Sequence, residues 1–528
     1  MFWFLVLIVF IMAYHLYTIK YFKYWERKGV KQKSTYPPFG DAADTLIKGY
    51  PFSEAVMRIY NRFPNSRYTG FYQFSIAVLM LRDPDLIKQM YVKDYEHFLD
   101  HTQILSTDID PMWNKNLFSL KGQKWKEMRS TLSPSFTSSK IRQMFVLMDK
   151  CAEYFMSNMT QTCEDLMEMD LKDVFTRYAN DIIATTAFGI QIDSMKERDN
   201  EFYIRGRQTS DFTGFWKHIR LTLSVFIPPV GKIIKGAIFD DKVSTFFRKI
   251  IKQTLEYRQT HNIDRPDMLN LLMNARKEKE ETKIKENSYS AVEEQLESKL
   301  FQKTKMDLSL EDITSQALFF FFAGFETVSS TLCFMAYELA TNPDVQRTLI
   351  EEFDEFKSKN EEVTYEGLSK LRYFDMVLSE TLRKWPVMNI LERKCNKPYI
   401  IQPKFIDETP VHLTTDNSVW VPIWALHHDP KYWKMPEKFD PQRFSSENKE
   451  KIVPYTYMPF GVGPRNCIGS RFAIIEIKVI IYRLLTNFEI VPIKRSVIPI
   501  ELNRNSFILN AKNGFWFGLK KRKASNNL

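Results

Sequence analysis

Apolar residues recur at helical spacing along most of the chain. Ile141, Met144, Phe145, Met148, Cys151 and Phe155 trace one stripe, and Leu371, Phe374, Val377, Leu378 and Leu382 trace another. Steps of three and four residues are those of amphipathic helices with one face in a core. Ile313 to Leu332 differs, because Phe319 to Phe322 put bulk on every face. Such a helix runs through the interior. Ser309-Leu-Glu-Asp312 before it has the form of a capping signature. Asp312, Glu326 and Glu338 weigh against a membrane span there. Ala473, Ile474, Ile475, Ile477 and Ile480 mark a further helix, and strand-like runs are short, as at Ser418–Ile423 and Phe488–Pro492. No repeat of solenoid or propeller period is present. The pattern predicts a mainly α body with a minor β-sheet region.

The N-terminus follows a different pattern. Phe2 to Ile19 holds no Asp, Glu, Lys or Arg, and Lys20, Lys23, Arg27, Lys28, Lys31 and Lys33 follow with only Glu26 opposed. Eighteen helical residues roughly match a ~30 Å hydrocarbon core. Trailing cations keep that end cytosolic. A cleaved signal would carry its charges before the apolar run and a small-residue cleavage site after it. Neither feature is present. Residues 1–20 are therefore expected to be a membrane anchor and 21–40 a basic linker stiffened by Pro37 and Pro38, with residues 41–528 as the catalytic body. Arg276 to Lys305, dense in Lys and Glu, reads as a solvated loop or frayed helix joining two parts of the core.

Composition narrows the chemistry. The 528 residues carry 74 Lys plus Arg against 64 Asp plus Glu, a charge of +10 without a concentrated basic block. A nucleic-acid surface is not indicated. Only 17 glycines argue against a turn-rich all-β chain, and 42 phenylalanines supply bulk for a large core or a greasy pocket. Five cysteines form no C-x-x-C pair, which excludes a zinc ribbon or ferredoxin-type cluster, and the odd count suits a reducing compartment. Four of them read as small buried hydrophobes. Cys467 differs in context. In Phe460-Gly461-Val462-Gly463-Pro464-Arg465-Asn466-Cys467-Ile468-Gly469, glycines permit a tight, close-approaching backbone. A helix beginning just after the sulfur favours a thiolate over a thiol. A buried thiolate is costly alone, so a metal is its natural completion.

That decapeptide, F-x-x-G-x-R-x-C-x-G, resembles the haem-thiolate signature of the cytochrome P-450 superfamily. Other motifs follow in the family's order. Trp125-Lys-Glu-Met-Arg129 resembles W-x-x-x-R, Ala323-Gly324-Phe-Glu326-Thr327 resembles A-G-x-[DE]-T, and Glu380-Thr-Leu-Arg383 is E-x-x-R. Pro441-Gln442-Arg443-Phe444 stands where the family has P-E-R-F; Gln442 departs, but the arginine is kept. Asn116-Leu-Phe118, Leu332 to Leu339 and Tyr455 to Pro459 look like insect microsomal P-450s, most of all the ninth family of the toxin- and drug-oxidising clan.

The resemblance implies a P-450 fold on an N-terminal transmembrane anchor, holding haem b. Cys467 is then the axial iron ligand. Trp125, Arg129, Arg393, Arg465, Phe460, Gly461, Gly463 and Gly469, with the small residues Ala323 and Gly324, are cofactor-binding, and Glu326 with Thr327 is the proton-handling pair. Glu380, Arg383 and Arg443 form a structural charge network. The implied activity is monooxygenation of lipophilic compounds, xenobiotics such as insecticides and plant toxins, at the endoplasmic reticulum membrane. Electrons would come from NADPH through P-450 reductase, docked near Lys121, Lys124 and Lys126, with cytochrome b5 as an additional donor. A biosynthetic P-450 acting on a hormone or lipid stays open as an alternative, as does a thiolate-haem peroxide isomerase. Asp110 to Trp113 and Phe212 to Pro229 are candidate pocket walls. His427-His428 receives no catalytic role.

Overall fold

The computed structural model describes residues 22–522, apart from 34–38, 75, 211–214, 227, 235, 274–307, 360–361 and 505–507, with a few positions between 9 and 18. Most of the expected anchor, the prolines of the linker and the Lys/Glu-rich stretch lie outside the described residues. Of the anchor, Val9, Ile11, Met12, Tyr14 and Leu16 are helical and exposed.

Helices dominate, as the apolar spacing predicts. The Leu310–Thr341 helix lies at the centre, with most of its residues from Ile313 to Ala340 buried. Its start is the expected capping box: Ser309 Oγ accepts from the Asp312 amide at 3.1 Å, and the Asp312 carboxylate accepts from the Ser309 amide at 3.0 Å. Two of the free N–H groups at the helix end are thereby satisfied. Among the described residues it is the one helix long and apolar enough to cross a membrane, but 67 % of its most apolar window is buried in the protein. It is a core helix. The helices Leu171–Ile183, Arg372–Lys384 and Ser470–Asn487 pack on it, and Ser138–Thr162 packs on the last of these.

The strands are β1 (Tyr68–Gln73), β2 (Ile76–Leu81), β3 (Leu166–Asp170), β4 (Leu391–Lys394), β5 (Tyr399–Ile401), β6 (Val411–Leu413), β7 (Ser418–Val421), β8 (Phe488–Val491) and β9 (Trp516–Lys521). They form small sheets ordered β1-β2-β7-β4, β3-β9-β8 and β5-β6. β7 and β8 fall on the two strand-like runs of the sequence. In the largest sheet β2 and β7 run parallel with Leu79 opposite Val419, and β4 lies antiparallel to β7 with Arg393 opposite Val419. This register carries Glu392 and Arg393 toward the cysteine loop.

Candidate active site

The loop from Phe460 to Gly469 is held by its own main chain. The Cys467 amide donates to Phe460 O at 2.9 Å, and Asn466 N donates to Gly463 O at 3.1 Å. Gly461 and Gly463 adopt φ of 78° and 77°, where a side chain is strained. At Gly463 a Cβ would also overlap the carbonyl oxygen of Tyr91. Gly463→Ala is therefore expected to cost about 2 kcal/mol or more, from left-handed strain plus a backbone clash that cannot relax. Thermal melts would check this, and a loss under about 0.5 kcal/mol would refute it.

Gly469 is the N-cap of the Ser470–Asn487 helix, so the sulfur lies at the helix end as expected. The thiol is not more acidic for that. Burial raises the Cys467 thiol above its ordinary range, and the Gly469 N–H and Arg129, which pull the other way, do not overcome it. Desolvation of a charge outweighs one amide and one guanidinium. A thiolate here needs a bound cation.

Cys467 is surrounded by protein, yet its side chain is accessible to a solvent-sized sphere. Ala323, Gly324 and Thr327 are likewise only partly covered, although their helix is otherwise buried. The sulfur and these helix residues are thus incompletely covered by packed atoms. The missing Cβ of Gly324 points elsewhere: it would meet Ile183 Cδ1 at 3.0 Å, so this glycine lets the Leu171–Ile183 helix approach.

The arginines singled out in the sequence converge on the loop. Arg129 donates to Asn466 O at 2.9 Å and to its side-chain oxygen at 3.0 Å. Arg393 donates to Arg465 O at 3.2 Å, and the Arg465 guanidinium lies over the Trp125 ring at 4.8 Å. Arg465 also braces the loop against the chain before Trp125, donating to Leu99 O, Phe118 O and Leu120 O and pairing with Asp100 at 3.2 Å. Among the described residues its Nε has no hydrogen-bond partner. Burial, with Arg393 nearby, pulls its pKa down to about 9, and burial also lowers that of Arg393.

Sequence reasoning missed Asp100, His101 and Glu392. Glu392 accepts from the Thr102 amide and from Ser418 Oγ, and its carboxyl stands 3.4 Å from His101 Nδ1. His101 stacks on Phe118 with centroids 4.1 Å apart, and burial takes its pKa to about 3. It is neutral at physiological pH. No local signal marks these residues, because the ionisable groups they meet, His101 with Glu392 and Arg393 and Asp100 with Arg465, lie about 290 to 365 residues apart.

The charge network forms without Gln442. Glu380 takes Arg383 in a two-pronged pair at 2.7 and 2.9 Å, plus Arg443 Nε at 3.3 Å and the Asp440 amide at 2.9 Å. Arg383 and Glu380 are wholly buried. His427 is structural as expected: its Nε2 accepts from the Met458 amide at 2.9 Å, and its Nδ1 meets Arg383 O at 3.1 Å.

These observations define a class of site. Among the described residues no cluster of three His, Cys, Asp or Glu could hold a bare metal ion. A metal on Cys467 must therefore bring its other ligands with it. An accessible sulfur beside a partly uncovered helix, with buried guanidiniums in excess of carboxylates, fits an anionic metal macrocycle. Haem fits this donor set.

The Cytochrome P450 family model matches residues 53–516. The chain is 43 % identical to "Cytochrome P450 9e2" of Blattella germanica over 516 residues, 94 % of each chain. It is 40 % identical to "Probable cytochrome P450 9f2" of Drosophila melanogaster, covering 94 % of this chain and 95 % of that one, and 34 % identical to "Cytochrome P450 6k1" of Blattella germanica, covering 96 % and 95 %. The chain belongs to the cytochrome P450 family of monooxygenases, and the relatives named for the ninth family resemble it more than the one named for the sixth, as the motifs implied.

Proposed function

We propose that this protein is a membrane-attached monooxygenase of the endoplasmic reticulum that oxidises lipophilic xenobiotics with electrons from NADPH delivered by P-450 reductase. The observation that carries this reading is the accessible Cys467 sulfur, set on a main-chain-locked loop and ringed by buried arginines. Cys467 would hold the haem iron, and Arg129, Arg393, Arg465 and the Trp125 indole would hold its carboxylates. When bound, haem supplies the chemistry RH + O2 + 2 e⁻ + 2 H⁺ → ROH + H2O. Glu326 and Thr327 would then supply protons, one of the roles the chain itself must fill.

An aromatic wall supports an apolar substrate. Trp113 meets Phe239, Phe319 and Phe322 edge-on, and Phe118 stacks with Phe319 at 6.1 Å. Asp110 fixes this wall by accepting from the amides of Trp113, Ile238 and Phe239. Beside it, Trp216 and Ile233 are 69 % and 83 % exposed, consistent with contact to a lipid surface together with the residue 1–20 anchor.

Of the three lysines proposed to meet the reductase, Lys124 is the one chosen for the test. Lys121 donates to Gln103 at 3.0 Å and Lys126 lies 3.8 Å from Glu96, whereas Lys124 is exposed. Lys124→Glu is expected to lower reductase-driven turnover several-fold at low salt and by much less at high salt. The proposed function is tested by reconstituting the haem-loaded full chain with reductase and NADPH and identifying products from a panel of lipophilic toxins. Turnover without reductase, or no oxidised product across the panel, would refute it.

A further inference from the structure

Glu326 and Thr327 are sequence neighbours, yet their side chains leave the central helix in different directions. Thr327 Oγ1 donates to Ala323 O at 2.6 Å. Glu326 instead faces the Leu171–Ile183 helix, where its Oε1 accepts from Lys172 Nζ at 2.7 Å. The two share no hydrogen bond among the described residues. Lys172 Nζ also donates to Ser329 Oγ and Ser330 Oγ, each at 3.0 Å. Glu326, Ser329 and Ser330 stand at i, i+3 and i+4, so one helical turn wraps a single ammonium and uses all three of its N–H groups. Ser330 Oγ further donates to Glu326 Oε1 at 3.4 Å.

This cluster is neither sealed nor open. The Lys172 and Glu326 side chains are 17 % and 15 % exposed, so water reaches the pair although the helix around it is buried. Asp170, the N-cap of the lysine's own helix, is the neighbouring carboxylate; it accepts from the amides of Lys172 and Phe515 at 3.0 Å. A lone structural salt bridge would not require the two serines, which add no charge and hold the ammonium in one place.

We propose that Lys172 is a positioning residue for proton supply: it holds the Glu326 carboxylate at a water-contacted inlet on the side of the central helix facing the Leu171–Ile183 helix. This rests on the monooxygenase reading above. A proton from solvent is bound by a Glu326 oxygen and passed through water to the Thr327 hydroxyl, which regenerates the carboxylate, while Thr327 gives its own hydroxyl proton to the oxygen being reduced and ends unchanged. Lys172 keeps its own protons, and no electron moves. Without Lys172 the carboxylate loses its fixed place, and proton uptake becomes slower than oxygen reduction.

The test uses the full-length, haem-loaded enzyme with reductase. Lys172→Met is expected to lower turnover about 10-fold, less than the loss of an entire general acid. Hydrogen peroxide release and the solvent isotope effect on turnover should both rise, while the spectroscopic Kd for substrate stays put. Lys172→Arg should restore most of the turnover. The infrared band of the Glu326 carboxyl, assigned by its loss in Glu326→Gln, should shift in Lys172→Met. Should Lys172→Met fail to fold, Ser330→Ala removes one anchor of the ammonium and should give the same changes at smaller size. An unmoved infrared band, or lower turnover with unchanged peroxide release and isotope effect, would overturn the proposal. Absence of NADPH-dependent oxidation in the unsubstituted enzyme would instead overturn the monooxygenase reading on which it rests.

Discussion

Cys467→Ala leaves a folded chain whose substrate turnover is lower by more than about 100-fold, the upper size of effects from merely perturbing the partners of a metal ligand. The loop is locked by main-chain bonds, Cys467 N to Phe460 O and Asn466 N to Gly463 O, and neither involves the sulfur. The melting temperature without haem should therefore barely move. What disappears is the sulfur proposed to hold the iron, and among the described residues no group of three His, Cys, Asp or Glu could hold a metal ion in its stead. The red-shifted absorption of the reduced, carbon-monoxide-bound protein reports that ligand directly. If the band persists in Cys467→Ala, the iron is held by another residue, and the assignment of this loop fails.

Glu380→Ala has a comparably large effect on stability. The side chain accepts four hydrogen bonds, two from Arg383 and one each from Arg443 and the Asp440 amide. Its removal leaves the wholly buried Arg383 cation with no anionic partner among the described residues, facing the carbonyls of His427 and Pro436 and the Trp433 ring. Breaking a buried pair from one side costs about 3–5 kcal/mol, because the remaining charge can neither be solvated nor neutralised. Total stabilities are about 5–15 kcal/mol, so little folded protein should accumulate. Arg443→Gln is the internal comparison. Arg443 meets Glu380 only once, at 3.3 Å, its other contacts being to Met435 O at 2.9 Å and Lys438 O at 3.4 Å, and Glu380 stays paired with Arg383 without it, so the loss is about 1–2 kcal/mol. Denaturant titration of both variants checks the contrast. Equal losses would mean that Arg443, not the Arg383 pair, dominates the network.

Much of the site was legible because its signals are local. A glycine with positive φ, a cysteine before a helix and a cap three residues ahead of its partner each depend on neighbours within a few positions. The capping box at Ser309 and Asp312 and the cysteine loop therefore appear where the sequence places them. At Cys467 the helix-end amide pulls toward the thiolate as expected, and the cost of burial that the sequence reading set against it is the larger effect. At Gly324 a Cβ would meet Ile183 Cδ1 at 3.0 Å, a neighbour that the sequence does not name. Residue type says that a close approach is needed, not what approaches.

The sequence by itself determined the main helices, the tight turns of the cysteine loop, the members of the Glu380, Arg383 and Arg443 network and the family to which the chain belongs. Tertiary structure alone decided which charges meet: Lys172 with Glu326, Arg465 with Asp100, and His101 between Arg393 and Glu392. The physical reason is range. Caps and loop turns are fixed by atoms a few bonds apart, whereas these pairs depend on how separate helices and strands are rotated and aligned when the core closes, and that alignment is set by the packing of many side chains together.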